Sequence, residues 1–307
     1  MISTPALVLA SSLPPQLRGQ PFNPAAASSL QQRILASWRQ AGFTPLSLHT
    51  TAELAAQPRH AERLAQAGVS VLEVHQAGLE LLPNLLASLT ALVASHPHAL
   101  VAITNADIFF APGTDLTLSL QTLGPDQALI GRRRNVAADA QVVYDPAGES
   151  DAFGFDFFAL HAASLRKVLP MIPEGLVFGR PWWDLFLPLA LLASGLELRD
   201  PGPDLFLHQS HTERWNAEQW LSYGYQADRR FLQLFREQGC EAFRRRWTVQ
   251  RRRAIRRLPS LTVLRHRIRE QLRSVAQRRG IQPLYLSDLS DAINALIEAE
   301  LNPEPGS

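Results

Sequence analysis

The chain has 307 residues, a formal net charge of +2 and a hydrophobic content of 46%, a composition that fits a soluble enzyme with a sizeable buried core. Its length predicts one large domain or two. The single cysteine, Cys240, excludes an internal disulfide bond and agrees with a reducing compartment. We predict neither a signal peptide nor a transmembrane helix, because the sequence shows no basic segment followed by an apolar one at its start and no apolar run of about 20 residues.

Apolar runs and helical periodicities alternate along the first half of the chain. Short apolar runs predict strands at 6–10, 45–48, 69–74, 100–103 and 128–130, and a longer apolar run at 153–160 predicts a further strand. Helical spacing or composition predicts helices at 28–40, 51–66, 85–95 and 115–123. This alternation favours an α/β fold with a mainly parallel sheet and helices on both faces. The sequence contains no glycine-rich phosphate loop, so Walker-type and dinucleotide-binding sites lack support.

The run at 101–107 ends in two polar side chains, Asn105 and Asp107. Ligands of an open α/β sheet gather at the carboxyl ends of its strands. A carboxylate at that position can hold a divalent metal, and the metal can hold a diphosphate. Asp107 is therefore a candidate metal ligand, and the alternative is that it caps the following loop or helix.

Two further segments place charged groups beside apolar ones. Asp156 lies inside the apolar run at 153–160, so we expect its carboxylate to be paired with a donor, either Arg180 or a sugar hydroxyl. Arg132 and Arg133 follow a predicted strand and could neutralise phosphate, or they could lie on a solvated loop.

A later apolar run, at 204–211, ends in His208 and His211. Imidazole is a plausible metal ligand at this position, although either residue could be an ordinary, partly buried histidine. We prefer His208, because it lies nearest the predicted strand end. The segment 179–184, Gly-Arg-Pro-Trp-Trp-Asp, leads into an apolar stretch that looks like a buried helix and places Asp184 near its N-terminus, where an anion is favoured.

Four motifs in this order resemble the nucleotide-sugar transferases of the GT-A fold. They are Thr-Asn-Ala-Asp at 104–107, Gly-Phe-Asp-Phe-Phe at 154–158, Gly-Arg-Pro-Trp-Trp-Asp at 179–184 and His-Gln-Ser-His at 208–211. The resemblance covers residues 1 to about 215 and is closest to a glycosyltransferase-like group with N-x-D, G-x-D-x-F, G-R-x-x-W-D and H-Q-x-H segments. One departure is notable, because GT-A enzymes usually carry Asp-x-Asp, whereas this chain has Asn105 in place of the first carboxylate.

The resemblance implies a Rossmann-like GT-A domain that binds a nucleotide-diphospho sugar with Mg²⁺ or Mn²⁺. Ser11, after the first strand, stands where GT-A proteins contact the nucleotide base or ribose. The substrate-side candidates are Ser11, Asn105, Arg132, Arg133, Asp156, Arg180 and Trp183, and the metal ligands are Asp107 with His208 or His211. Asp184 matches the acceptor-side carboxylate of inverting enzymes and would act as a general base if its pKa is raised. Trp182 and Trp183 could supply the apolar surface that raises the pKa of Asp184, stack on a sugar or belong to the core.

Residues 1–222 are predicted to form this domain, and residues 223–307 a helical, basic C-terminal extension. Between residues 244 and 279 there are 14 arginines and a single acidic residue, Glu270, so the rest of the chain is net acidic. The segment could pack on that acidic body, lie on an anionic membrane or contact nucleic acid. Nucleic acid is the least supported alternative, because the sequence has no RNA-binding motif or zinc finger.

The sequence thus predicts a metal-assisted glycosyltransferase that acts on an unknown acceptor, whether glycan, lipid or small molecule. A non-catalytic nucleotide- or sugar-binding relative is the first alternative, because the first carboxylate of Asp-x-Asp is missing. A membrane-surface adaptor centred on the Arg-rich segment is the second. We expect a cytoplasmic protein, with peripheral contact at the inner face of the membrane as an alternative location.

Overall fold

The computed structural model describes residues 5–15, 24–76, 81–114, 116–136, 155–202, 204–209, 217–256 and 284–302. The strands are β1 (Leu7–Ser11), β2 (Thr44–Thr50), β3 (Ser70–Val74), β4 (Leu100–Thr104), β5 (Ile108–Phe110), β6 (Gln127–Gly131), β7 (Arg133–Val136), β8 (Phe157–His161), β9 (Glu197–Arg199) and β10 (Phe206–Gln209). The helices are α1 (Pro24–Gln40), α2 (Thr51–Ala56), α3 (Pro58–Gln66), α4 (Leu85–Ser95), α5 (Thr117–Gln121), α6 (Ala162–Val168), α7 (Trp183–Ala193), α8 (Ala217–Glu237), α9 (Glu241–Arg256) and α10 (Leu284–Leu301), and a 3-10 turn covers Leu169–Met171.

Seven strands form a mixed sheet in the order β3-β2-β1-β4-β8-β6-β9. The pairs β3-β2, β2-β1, β1-β4 and β6-β9 are parallel, whereas β8 runs antiparallel to both β4 and β6. A second, three-stranded sheet has the order β5-β10-β7. The predicted α/β class with a mainly parallel sheet is confirmed.

The sheet is buried on both faces, which explains why its central strands are apolar throughout. Every residue of β4 is buried. One face packs against α4, α6 and α7, and the other packs against α1, α3 and the three-stranded sheet. The predicted helix at 51–66 is two helices, because Pro58 lacks the N–H that a continuous helix would need and begins α3.

The helices of the predicted C-terminal extension belong to the same hydrophobic cluster as one face of the sheet. Phe231 of α8, Trp247 of α9 and Ile293 of α10 are all fully buried in it. Ion pairs connect α10 to its neighbours, as Glu300 pairs with Arg246 of α9 and Glu298 pairs with Arg132 after β6. This packing ties the helical region to the α/β body.

The described part of the Arg-rich segment favours packing on the body over membrane contact. Arg246 pairs with Glu300 of α10, whereas Arg244 and Arg245 pair with Glu241 of their own helix. Trp247, which a helix lying on a membrane would turn towards the lipid, is buried in the hydrophobic core. The side chains of 250–256 and all of 257–283 lie outside the described residues, so membrane and nucleic-acid contacts stay predictions. Within the described ranges, no helix is long and apolar enough to cross a bilayer.

Gly131 lets the two sheets meet at the end of β6. A Cβ atom at this position would lie 2.0 Å from the ring of Phe206, which itself stacks on Phe157 with 4.3 Å between ring centroids. Gly131→Ala should therefore lower the free energy of unfolding by about 1–3 kcal/mol, because the stacked rings cannot yield. Urea denaturation measures this change.

Gly124→Ala is the matched control for this prediction. Its Cβ would meet only the flexible side chain of Gln127, at 3.3 Å, so we expect little loss of stability. Equal stability of the Gly131→Ala and Gly124→Ala variants would contradict the proposed close approach.

Candidate functional site

Reversal of β8 brings Asp156 to the carboxyl end of β4. Because the two strands are antiparallel and Phe157 pairs with Thr104, the residue that precedes β8 lies where β4 ends. The Thr104 hydroxyl donates to the Asp156 carbonyl at 2.6 Å, and the Asp156 amide donates to the Gly131 carbonyl at 3.1 Å. The sequence predicted Asp156 within a strand, whereas it directly precedes one. Its backbone is fixed at the edge where β4 and β6 both end.

Six side chains surround this edge, and we call them the strand-end cluster: Asn105, Asp107, Arg133, Asp156, Asp184 and His208. They come from the segments that follow β4 and precede β8, from β7 and β10, and from the first turn of α7. All six were predicted from the sequence, and the structure brings them together.

Asp156 is fully buried and has two partners. Asn105 Nδ2 donates a hydrogen bond to Asp156 Oδ1, and Arg133 Nη1 lies 3.2 Å from Asp156 Oδ2. Burial raises the pKa of Asp156, while the positive charge of Arg133 acts in the opposite direction. The cationic partner is thus Arg133 rather than the expected Arg180, whose guanidinium lies 6.0 Å from the ring centroid of Tyr223.

Asp107 and His208 face one another. His208 Nε2 lies 3.5 Å from Asp107 Oδ2, and His208 Nδ1 lies 2.8 Å from Asn135 Oδ1. An amide oxygen only accepts hydrogen bonds, so Nδ1 carries the proton and Nε2 is directed at the carboxylate. The sequence did not single out Asn135. Its signal is the register, because β7 pairs with β10 in parallel and sets Asn135 beside His208.

The facing pair suits a divalent cation. A neutral imidazole nitrogen and a carboxylate oxygen both have lone pairs to offer, and a second partner on Nδ1 is the usual way of orienting such a histidine. In the part of the chain that the structure describes, no three His, Cys, Asp or Glu residues are grouped to hold a metal. The protein would then supply two ligands, and Mg²⁺ commonly takes the rest from water and phosphate oxygens. His211 lies outside the described residues.

Asp184 occupies the first turn of α7 and interacts electrostatically with Asp156. Burial and the negative charge of Asp156 raise the pKa of Asp184 to about 7, against the opposing influence of Arg133 and the backbone amides of Asp184 and Leu185. Trp182, two residues before Asp184, caps the helix in the left-handed conformation with φ of 83°. A carboxyl group with this pKa changes its protonation state near neutral pH, as a general base requires.

The two tryptophans before Asp184 are core residues. Trp183 is 1% exposed and packs against Phe158 and Phe178, with ring centroids 5.7 and 5.0 Å away. Because its ring is buried among these aromatic side chains, Trp183 packs in the core and does not offer a face for sugar stacking. Trp182 is equally buried and lies against Gly224 of α8, where a Cβ would come within 2.6 Å of the indole.

Arg132 points away from the strand-end cluster. It pairs with Glu298 and lies over the ring of Phe155, with 4.8 Å between the guanidinium carbon and the ring centroid. Adjacent residues in extended backbone face opposite sides, so Arg133 reaches Asp156 while Arg132 reaches α10. Of the two predicted phosphate ligands, only Arg133 lies in the cluster.

Ser11, the predicted nucleotide contact, is fully buried at the end of β1 beside a polar relay that the sequence did not reveal. Ser47 Oγ accepts from the Leu13 amide at 3.1 Å and lies 2.7 Å from His49 Nε2, while His49 Nδ1 lies 2.8 Å from Glu53 Oε2. The relay fixes the segment that follows β1.

His60 holds the same segment from the other side. Its Nε2 donates to the Leu13 carbonyl at 2.9 Å, and its ring meets that of His49 edge-on, with 4.9 Å between centroids. Burial lowers the pKa of His60, because a charged imidazolium would lose hydration and repel a second proton on His49. Both backbone polar groups of Leu13 are thus bound by buried side chains.

No protein-family model matches the chain, and no curated protein matches it in sequence. Among solved structures, the chain is similar to the inositol-1-phosphate CTP transferase from T. maritima, with 14% sequence identity over 72% of this chain and 95% of that one, and a TM-score of 0.36. The description of the fold and of the candidate site therefore depends on the sequence and structure of this chain alone.

The raised pKa of Asp184 makes a prediction about stability. The unfolded residue loses its proton near its ordinary value of 3.8 and the folded residue near 7, so the folded state binds more protons between these pH values and loses stability as the pH rises through them. Asp184→Asn does not titrate and should gain stability relative to the parent between pH 4 and pH 8. Urea unfolding at both pH values measures the gain.

The exposed Glu62 of α3 provides the control, because Glu62→Gln should leave the pH profile of stability unchanged. Parallel pH profiles for Asp184→Asn and the parent would show that Asp184 is an ordinary carboxylate in the first turn of a helix.

A second prediction concerns His60. Because the pKa of the folded residue lies below the ordinary value of 6.5, the unfolded chain binds the extra proton and the protein loses stability as the pH falls below 6.5. His60→Gln retains a donor for Leu13 but no titrating group, so its stability should decline less between pH 7 and pH 5. His98→Gln, at an exposed site, should follow the parent, and a His60→Gln profile as steep as the parent's would refute the assignment.

Proposed function

We propose that the protein is a metal-assisted glycosyltransferase that uses a nucleotide-diphospho sugar as donor. The observation that supports this proposal is the strand-end cluster, which combines a carboxylate–imidazole pair, an ion pair between Arg133 and the buried Asp156, and a carboxyl group with a pKa of about 7. The first group suits a cation with its diphosphate, and the last suits a hydroxyl group that must lose a proton.

Asp107 and His208 would hold Mg²⁺ or Mn²⁺ on the donor side of the cluster. Such a cation neutralises the negative charge that develops on a departing diphosphate. Arg133, with 23% of its side chain exposed, is the positively charged side chain of the cluster and would bind a phosphate oxygen. These residues would orient the donor so that the bond between the anomeric carbon and the diphosphate oxygen can break.

Asp184 would act on the acceptor side. The acceptor hydroxyl oxygen forms the new bond to the anomeric carbon, its proton passes to the Asp184 carboxylate, and the nucleoside diphosphate leaves with the electron pair of the broken bond. A carboxyl group with a pKa of about 7 is ionised in a large fraction of molecules at neutral pH and is still basic enough to accept a proton.

A non-catalytic protein that binds a nucleotide or sugar is the second candidate. Asn105 favours it, because a neutral amide replaces the first carboxylate of the Asp-x-Asp motif and would weaken cation binding. The two candidates differ in turnover, since both predict donor binding and only the transferase predicts cleavage of the donor.

Ligand-induced stabilisation tests donor binding. The parent should melt at a higher temperature with a nucleotide-sugar and Mn²⁺ than with either alone, since a ligand at about 100 times its Kd adds about 2.7 kcal/mol. Asp107→Ala and His208→Ala should each lose the Mn²⁺-dependent part of this gain. Arg132→Gln, outside the cluster, is the control and should keep it. Equal stabilisation of Asp107→Ala and parent would refute the metal assignment.

Donor cleavage separates the two candidates. The parent should release nucleoside diphosphate from its preferred donor when a panel of acceptor sugars, lipids and water is offered, whereas Asp184→Asn should bind the donor without releasing product. Binding by the parent with no release under any condition would favour the non-catalytic candidate.

A further inference from the structure

Asn105 stands where the resemblance leads one to expect a carboxylate, and an amide differs from a carboxylate in one respect that matters here. The two oxygens of a carboxylate are equivalent, so either can face a cation. An amide has one oxygen and one nitrogen, and only the oxygen can bind a cation. Asn105 can therefore serve the site in one of its two orientations only.

Asp156 selects that orientation. Its Oδ1 atom accepts a hydrogen bond from Asn105 Nδ2, so the nitrogen is turned inward. Asp156 itself cannot move aside, because its carboxylate is fully buried against Arg133 and its backbone is bound to Thr104 and Gly131. Asn105 is partly exposed, and its Nδ2 is the end of the amide that Asp156 occupies. The oxygen is the end of the amide that is left for a ligand.

We infer that Asp156 is a positioning residue that fixes the amide of Asn105, and that Asn105 Oδ1 joins Asp107 and His208 as a third donor atom of the cation site. This inference rests on the proposed function. Amide oxygens are ordinary ligands of Mg²⁺ and Mn²⁺, so position 105 still offers an oxygen to the cation. The negative charge is carried by Asp156, just before β8.

There is an electrostatic reason for the amide at position 105 and the carboxylate at position 156. A carboxylate at position 105 would lie within hydrogen-bonding distance of the Asp156 carboxylate, and like charges at such distances disfavour one another's ionisation. An amide at 105 removes this repulsion and supplies a donor to Asp156. Asn105 and Asp156 therefore act as one unit, with the negative charge held in the buried position beside Arg133.

Asp156→Asn should reverse the orientation of Asn105. Arg133 needs an acceptor, so the new amide turns its oxygen to Arg133 and its nitrogen to Asn105. Asn105 then presents Oδ1 inward and Nδ2 to the cation. We expect Mn²⁺ to bind about 10- to 100-fold more weakly, the loss that a disturbed orienting partner typically causes. Isothermal titration calorimetry with Mn²⁺ alone, without nucleotide or acceptor, measures the affinity.

The double variant N105D/D156N should restore Mn²⁺ affinity to nearly that of the parent. The carboxylate introduced at position 105 can accept from the amide introduced at position 156 with one oxygen and offer the other to the cation, so its orientation no longer matters. Asn105→Ala removes the oxygen without changing the charge and should bind Mn²⁺ as weakly as Asp156→Asn. This variant separates loss of a ligand atom from loss of nearby negative charge.

Asp204→Asn is the matched control. It breaks another carboxylate–arginine pair beside the three-stranded sheet, that of Asp204 with Arg134, and should leave Mn²⁺ affinity unchanged. Circular dichroism and melting identify folded variants, and the rescue by N105D/D156N rules out a general loss of folding. If the parent binds Mn²⁺ and Asn105→Ala binds it equally well, the inference is overturned and the proposed function stands. If the parent does not bind Mn²⁺, both the inference and the metal-assisted mechanism are overturned.

Discussion

The buried carboxylate of Asp156 is the constraint on which the rest of the site depends. A carboxylate that is removed from water is costly unless it is paired and hydrogen-bonded, and Asp156 obtains both through Arg133 and Asn105. These two partners come from different strand ends, so one charge links the end of β4, the start of β7 and the start of β8. The same charge raises the pKa of Asp184 and interacts with Asp107 and His208. One buried group thus couples Asp184 to Asp107 and His208, the residues that we propose for the acceptor and the donor.

The sequence predicts the main features of the fold because they depend on local patterns. Apolar runs of strand length and their alternation with helical spacing identify the α/β class and the parallel half of the sheet. The direction of β8 cannot be predicted in this way, because an apolar run looks the same in either direction. The antiparallel insertion of β8 is a property of how the chain returns to the sheet, and it moves Asp156 from an expected strand interior to the edge where the other candidates gather.

In the site, the sequence predicts which residues are candidates but not which residues they contact. The carboxylates and His208 could be found from the sequence, because polar side chains at strand ends are conspicuous. Their partners could not be found in this way. Asn135 reaches His208 through the register between β7 and β10, and Arg133 rather than Arg132 reaches Asp156 because adjacent residues of an extended segment face opposite sides. For Trp183 the sequence left two roles open, sugar stacking and packing in the core. A tryptophan beside a catalytic candidate suggests a sugar platform, yet its large apolar surface is used in the core against aromatic rings.

The C-terminal helices explain how α7 can present Asp184 despite its strained beginning. Trp182 adopts a left-handed backbone conformation that costs a residue with a side chain of the order of 1 kcal/mol or more. Such a conformation persists only where the surroundings determine it, and here the indole is enclosed between Phe186 and Gly224 of α8. Because a larger residue than glycine would not fit at 224, the helix that follows the α/β body acts as a template for the turn before Asp184. The helical region is therefore part of the catalytic architecture we propose, whatever further contacts its arginines make.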